Sequence, residues 1–254
     1  MINIKDSAIL FSGGTDSLAL YAMSFTGSHT SVPKPERIHL LNMLNGMSRF
    51  PHFTKNRFDT AKIILESHSP KEKLPESLLI ELDSGRLFQG LWLDRYEEFM
   101  PRYNGKNLVC VACKAAMHTR AIIYCLENDV KLLMAGYTKK QSYYPEQTPT
   151  FMDAMNAFSE KFGIRTTYPV FEDFSEETVS KHYLEDQGLP STGGGERKCL
   201  FSQTYTTATE NETGRYLSDM LPVLEEYIKY KIAGEPKAAA ECFRPGRIKE
   251  MLIA

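Results

Sequence analysis

The sequence has no apolar run approaching the ~18 residues that a membrane-spanning helix needs. Its start, Met1-Ile-Asn-Ile-Lys-Asp, lacks a basic segment followed by an apolar stretch, so no secretory signal is expected and the cytosol is the expected compartment. Internal repeats and low-complexity tracts are absent, which excludes solenoid, collagen-like and coiled-coil architectures. There is little excess charge: 30 Lys and Arg stand against 32 Asp and Glu, a formal net charge of −2. A protein that grips nucleic acid mainly through phosphates is usually basic, so any such contact has to be a local face. The six histidines show no H-x-x-x-H or H-x-x-E-H spacing, and no histidine-based catalytic metal is expected. Cysteines are few and odd in number, five in 254 residues. With a C-x-x-C pair among them, metal or redox chemistry is favoured over disulfides.

What is present is an alternation of short apolar runs and helical patterns. Residues 8–11, 38–43, 78–82, 130–135 and 165–170 read as strands. Leu18, Leu20, Ala22 and Met23 after the first strand are consistent with a helix, residues 58–66, 114–127, 149–162 and 175–188 read as helices, and the aromatic-rich 86–104 leans the same way. This predicts an α/β fold: a parallel five-stranded sheet with helices on both faces. The strand signal fades after about residue 190, and residues 215–233 look helical. The expected division is therefore an α/β domain over 1–190 and a C-terminal helical cap over 191–254.

The most informative stretch is Phe11-Ser12-Gly13-Gly14-Thr15-Asp16-Ser17, between the first expected strand and helix. Two glycines let the backbone turn sharply and approach a ligand closely. The helix that follows offers unsatisfied N–H groups and the positive end of its dipole to an anion. The hydroxyls of Ser12, Thr15 and Ser17 add donors. Asp16 would repel a bare phosphate, which points to a Mg²⁺ between carboxylate and phosphate. The pattern is neither the P-loop, which needs Lys-Ser/Thr after its second Gly, nor the dinucleotide fingerprint. An ordinary βα turn rich in Gly and Ser is the bland alternative.

The stretch resembles the Ser-Gly-Gly-x-Asp-Ser motif of the PP-loop ATP pyrophosphatases. That resemblance implies an adenine-nucleotide α-hydrolase-like sheet, phosphates of ATP held by Ser12, Gly13, Gly14, Thr15, Asp16 and Ser17, and adenylation of an acceptor with release of pyrophosphate. It also implies that Asn42 and Met43, at the end of the second strand, approach the adenine.

Cys110-Val-Ala-Cys113 is expected just before a helix, where thiolates at i and i+3 can share a metal or cluster and a helix N-terminus lowers thiol pKa. Lys114, Arg197 and Lys198 would favour thiolates further. A redox dithiol is the competing reading. Cys125, on the apolar face with Ile122, Ile123 and Leu126, reads as core. A C-x-x-C pair followed after a long interval by Cys199 resembles the PP-loop tRNA thiolation enzymes, the 2-thiocytidine and 4-thiouridine synthetases. That implies an iron–sulfur (4Fe-4S) cluster held by Cys110, Cys113 and Cys199, with one iron open to carry sulfur. Zinc is the alternative metal, and Cys242 is the candidate for a fourth ligand.

Gly136 to Gln141 follow the fourth strand at its carboxyl end, where α/β sheets place ligands. With Glu146-Gln147-Thr148 this run resembles the second half of 4-thiouridine synthetase domains, which puts Gly136 and Gln141 near the adenylate. Lys139 and Lys140 either meet phosphates or are solvated, and Tyr143-Tyr144 reads as packing. Residues 145–151 and Pro169-Val170 also resemble the 7-cyano-7-deazaguanine synthases, without their C-terminal cysteine cluster. Gly193 to Lys198 reads as a basic loop, either a lid or a linker.

Only seven residues precede the first expected strand, and no RNA-binding module is apparent. The acceptor is then either a tRNA docked on a local basic face, with a homodimer as one way to build it, or a small nucleobase-like molecule. The reading that results is ATP- and Mg²⁺-dependent adenylation followed by sulfur transfer from a sulfur donor, with Asp16, Cys110, Cys113 and Cys199 as catalytic residues and no membrane partner. The alternatives are an amide- or nitrile-forming ligase that uses nitrogen, and a nucleotide-binding protein that turns nothing over.

Overall fold

The structure is a computed structural model, and it describes residues 4–47, 52–68, 74–174, 177–191, 199, 208–244 and 246. Five parallel strands form one sheet: β1 (Asp6–Leu10), β2 (Arg37–Leu44), β3 (Glu76–Asp83), β4 (Leu132–Ala135) and β5 (Arg165–Thr167). Their order is β3-β2-β1-β4-β5. The chain runs outward from β1 through β2 to β3, then returns to lay β4 on the other side of β1. The direction of winding therefore reverses between β1 and β4, and a crevice opens at their carboxyl ends.

Helices cover both faces, as the uninterrupted apolar strands require. Side chains alternate along each strand, so neighbours enter different cores. Ile9, Leu40 and Met134 pack with α1 (Thr15–Thr26), α2 (Phe53–His68) and α8 (Glu177–Asp186). Ala8, Leu41 and Leu133 pack with α3 (Gly85–Leu91), α5 (Val109–Glu127), α6 (Pro149–Glu160) and α9 (Glu210–Ile232). α5 is long and apolar enough, by length and composition, to cross a membrane. This corrects the expectation that no segment reaches that length. Here it is a core helix, with Ala115, Ala116, Ile122, Ile123 and Cys125 fully buried.

Several element boundaries differ from those expected. The strand expected over 165–170 stops at Thr167, because Pro169 opens the short helix α7 (Pro169–Asp173); proline suits the first helical position, where no N–H is needed. Residues 86–104 hold two helices, α3 and α4 (Tyr96–Arg102), joined by a single 3-10 turn over Leu93–Arg95. Trp92, Phe99 and Tyr103 each pack edge to face with Tyr216, and the Tyr216 hydroxyl donates to the Leu91 carbonyl at 2.9 Å. α9 begins at Glu210, ahead of the expected 215, and is followed by α10 (Pro236–Glu241). Its start is a capping box: Thr209 and Glu212 satisfy each other's end of the helix, with the Thr209 N–H donating to Glu212 Oε2 at 3.0 Å. The apolar face of α9 (Leu217, Met220, Val223, Leu224) enters the core that α5 and α6 share.

Candidate functional site

The loop after β1 is built by its neighbours as much as by its own sequence. The Phe11 N–H donates to the Leu41 carbonyl at 2.9 Å, so β2 still holds the chain there. Beyond it, α2 takes over. Thr54 Oγ1 donates to the Ser12 carbonyl at 2.8 Å, and Arg57 Nε donates to the Gly13 carbonyl at 3.2 Å. Gly13 has φ +76°, and a Cβ there would stand 3.0 Å from the Thr54 Cα. Both facts demand glycine. Inside the loop the Gly14 N–H donates to Ser12 Oγ at 3.2 Å, and Ser17 Oγ donates to the Gly14 carbonyl at 3.1 Å. Helix α1 starts with Gly14 as its cap and without a side-chain hydrogen bond to its first N–H groups. Those of Thr15, Asp16 and Ser17 precede the first intrahelical acceptor bond, which Leu18 makes to Gly14 at 2.9 Å.

β4 approaches this helix start through Gly136. A Cβ on Gly136 would lie 2.8 Å from the Ser17 nitrogen and 2.9 Å from the Asp16 carbonyl carbon. Glycine is required there because the neighbour is backbone and cannot rotate away. Gln141, in the 3-10 turn Lys139–Gln141, accepts at 2.6 Å from Gln147 Nε2, whose own Oε1 accepts the Thr138 N–H at 3.2 Å.

A cavity of about 790 Å³ opens between these segments at the switch point. Ser12, Gly14, Thr15, Asp16, Ser17, Met43, Cys110, Cys113, Gly136, Gln141 and Cys199 all line it. Two expected residues do not. Gly13 faces α2. Asn42 lies on the opposite face of β2 from Leu41 and Met43, and its amide donates to Glu81 at 3.2 Å. Sequence reasoning missed five contributors: Asn45, which lies just past the expected strand; Lys114, read only as a neighbour of the thiols; Glu146, to which no role was given; and the braces Thr54 and Arg57. A buried arginine in the first turns of α2 was the available signal.

Cys110 and Cys113 sit inside the first turn of α5, not before it. The Asn107 side chain accepts the Val109 N–H at 3.0 Å and starts the helix early. At i and i+3 both thiols face the cavity, and both are free and partly buried. Asn45 Nδ2 donates to Cys113 Sγ at 3.3 Å. The expected lowering of the thiol pKa is not what the surroundings produce. Burial pushes the Cys110 thiol up to about 12, the charges of Glu146, Cys113 and Cys199 add to this, and Lys114 only partly opposes it. Burial raises Cys113 as well, against the Asn45 hydrogen bond and Lys114. In a dry cavity desolvation outweighs a helix end.

Glu146 lies in the 3-10 turn Pro145–Gln147 and is 7% exposed. Burial raises its pKa, and its Oε2 has no hydrogen-bond partner. Lys114 holds its ammonium 5.2 Å above the Tyr137 ring. That ring stacks on Tyr168, and the Tyr137 hydroxyl meets His118 Nε2 at 2.9 Å. Lys139 is tied back to α7, donating to the Glu172 carbonyl at 3.4 Å and lying over Phe171. Tyr143 and Tyr144 form a ring pair at the mouth, with Tyr143 67% exposed.

Cys125 is core, as expected. Cys242 is buried between α9 and α10, outside this cavity, and is therefore no ligand candidate for it. Among the described residues no three His, Cys, Asp or Glu side chains converge closely enough to hold one metal ion. Gly193 to Lys198, read as a lid or linker, lie outside the described residues.

No protein-family model and no curated protein match the sequence. Among solved structures, a similar chain is the U34-tRNA thiolase NcsA from Methanococcus maripaludis, solved with its 4Fe-4S cluster. Identity is 14%, the match covers 98% of this chain and 73% of that chain, and the TM-score is 0.43.

Proposed function

We propose that this protein adenylates a carbonyl-bearing acceptor with ATP and then replaces the activated oxygen with sulfur. One observation carries the reading: a single cavity is lined both by the Ser12–Ser17 loop and by Cys110, Cys113 and Cys199. Its volume of about 790 Å³ falls within the range of small-molecule sites and suits a nucleotide with one planar base beside it.

In this reading the N–H groups at the start of α1 and the hydroxyls of Ser12, Thr15 and Ser17 hold the triphosphate. Asp16 positions Mg²⁺, and Met43 packs against the adenine. The amide-type oxygen of the acceptor attacks the α-phosphorus, pyrophosphate leaves, and an O-adenylated, imidate-type intermediate results. Hydrosulfide then adds at the acceptor carbon. Its proton is released, the oxygen departs with AMP, and the product carries C=S where C=O stood. Gln141, fixed by Gln147, is placed to contact the adenylate.

The donor set fits a cluster better than a single metal. Cys110 and Cys113 are three residues apart on α5 and line one cavity with Cys199, yet among the described residues no three ligands meet at one point. A tetrahedral zinc needs such a meeting point, whereas a cubane spreads its irons over separate corners. When bound, the cluster would supply an iron able to hold sulfide. The acceptor is a tRNA base or a free nucleobase-like molecule.

The test is anaerobic purification with iron, zinc and sulfide analysis, combined with a pyrophosphate-release assay on wild type and Asp16→Ala. Iron with equimolar sulfide, and loss of ATP-dependent release in the variant, are the expected results. Stoichiometric zinc without iron, with ammonia-dependent turnover, would move the reading to a nitrogen-using ligase. Undiminished release by Asp16→Ala would remove the loop from the chemistry.

A further inference from the structure

We infer that Glu146 donates a carboxylate oxygen to the metal group held by Cys110, Cys113 and Cys199, as the exchangeable member of the donor set. This rests on the cluster reading above and assigns the position that three cysteines leave open.

Glu146 shares the cavity with all three thiols and lies within charge range of Cys110 and Cys113. It is 7% exposed, and its Oε2 is buried without a hydrogen-bond partner. Such atoms are rare, because desolvating a carboxylate oxygen without compensation is costly, and an ion is one of the few things that explains one. The nearest cation does not provide that compensation. Lys114 is engaged with the Tyr137 ring at 5.2 Å and forms no ion pair with Glu146. Three thiols and a carboxyl line one space, a donor set that gives up its protons when a metal group binds.

The turn that carries Glu146 is held in place. The Gln147 N–H donates to the Tyr144 carbonyl at 2.9 Å, Thr148 Oγ1 to the Pro145 carbonyl at 3.0 Å, and Gln147 Nε2 to Gln141 at 2.6 Å. Pro145 adds its fixed φ. The turn thus holds Glu146 among the residues that line the cavity. The ligand chemistry gives it a distinct part. Iron accepts carboxylate oxygen, but sulfide is the softer and preferred partner at a cluster iron. An oxygen donor therefore occupies the position at rest and yields it to the sulfur that the reaction consumes.

The experiment uses the full chain, purified anaerobically and enriched in Mössbauer-active iron. Spectra are taken for wild type and Glu146→Gln, each before and after addition of sulfide, with apo-protein melts as the folding control. In wild type about one quarter of the iron signal is expected to have an oxygen-ligated shift. That component should move on sulfide addition and be missing in Glu146→Gln at equal iron content. Superimposable spectra for the two proteins overturn the inference. So does a wild-type spectrum with no oxygen-ligated component, a result that holds even if the variant fails to fold. Both leave the cluster standing. Wild-type protein that binds no iron would instead defeat the cluster reading, and this assignment with it.

Discussion

Gly136→Ala tests whether the end of β4 sets the position of the phosphate loop. The added methyl would lie 2.8 Å from the Ser17 nitrogen, 2.9 Å from the Asp16 carbonyl carbon and 3.1 Å from its oxygen. Ordinary contact begins at 3.4 Å, so the gap has to open by roughly 0.6 Å in a close-packed interior. All three of these neighbours are main chain, so the strand end or the first turn of α1 must move. Overpacking of this kind costs about 1–3 kcal/mol. At about 2–4 °C per kcal/mol for a domain of this size, the melting temperature should fall by several degrees. If the loop holds a triphosphate as proposed, the same movement displaces the N–H groups of Asp16 and Ser17 from it, and misplacement on this scale can cost up to about a hundredfold in rate. Gly14→Ala is the control. Its Cβ would meet only Ser12 Oγ, at 3.2 Å, a side chain that can rotate. Its effect on stability should be clearly smaller. Thermal melts and ATP titration calorimetry on both variants decide the matter. Wild-type stability and affinity in Gly136→Ala would refute the close-approach reasoning.

Three further outcomes are expected. Thr54→Val removes the 2.8 Å bond to the Ser12 carbonyl and should cost about 1 kcal/mol in denaturant melts, with weaker ATP binding; unchanged affinity would show that α2 does not brace the loop. His118 is buried neutral, with desolvation lowering its pKa to about 3. Its contribution is complete above the unfolded value near 6.5 and is lost as pH falls toward 3; at pH 5 the loss is about 2 kcal/mol, so His118→Asn should flatten the stability profile between pH 7 and pH 5, and an unaltered slope would contradict this. Thr209→Ala breaks the capping box of α9 and should cost about 1 kcal/mol, read as a lowered denaturation midpoint.

Much of the frame was legible because the first four strands carry short, mostly apolar runs, as a parallel sheet covered on both faces needs. The turn from Ser12 to Ser17 was legible as a strand-to-helix junction because its glycines and hydroxyls follow an apolar run and precede a helical pattern. The misreadings were local. Pro169 was taken as the end of a strand when it begins a helix. α9 begins at the Thr209–Glu212 capping box, ahead of the helical spacing expected from 215. Asn107 starts α5 ahead of the cysteines, a side-chain-to-backbone effect that hydrophobic spacing does not register. The thiol pKa was misjudged for a different reason: burial is a property of the assembled cavity, and Glu146 acquires its dry surroundings only when residues distant in sequence close around it. Asn42 was assigned by strand position alone, and alternation turned it to the other face.

The placement of Cys110 and Cys113 within α5 has one more consequence. They ride on a helix whose inner side is locked into the core, so their bearing toward the nucleotide is indexed to the helical repeat. Inserting one residue between Asn107 and Cys110 would swing both sulfurs by about 100° around the axis, and the composition of the chain would hardly change. Across sequences of this architecture, the count of residues from the start of that helix to the pair should therefore resist insertions and deletions more strongly than the identity of the amino acids between them.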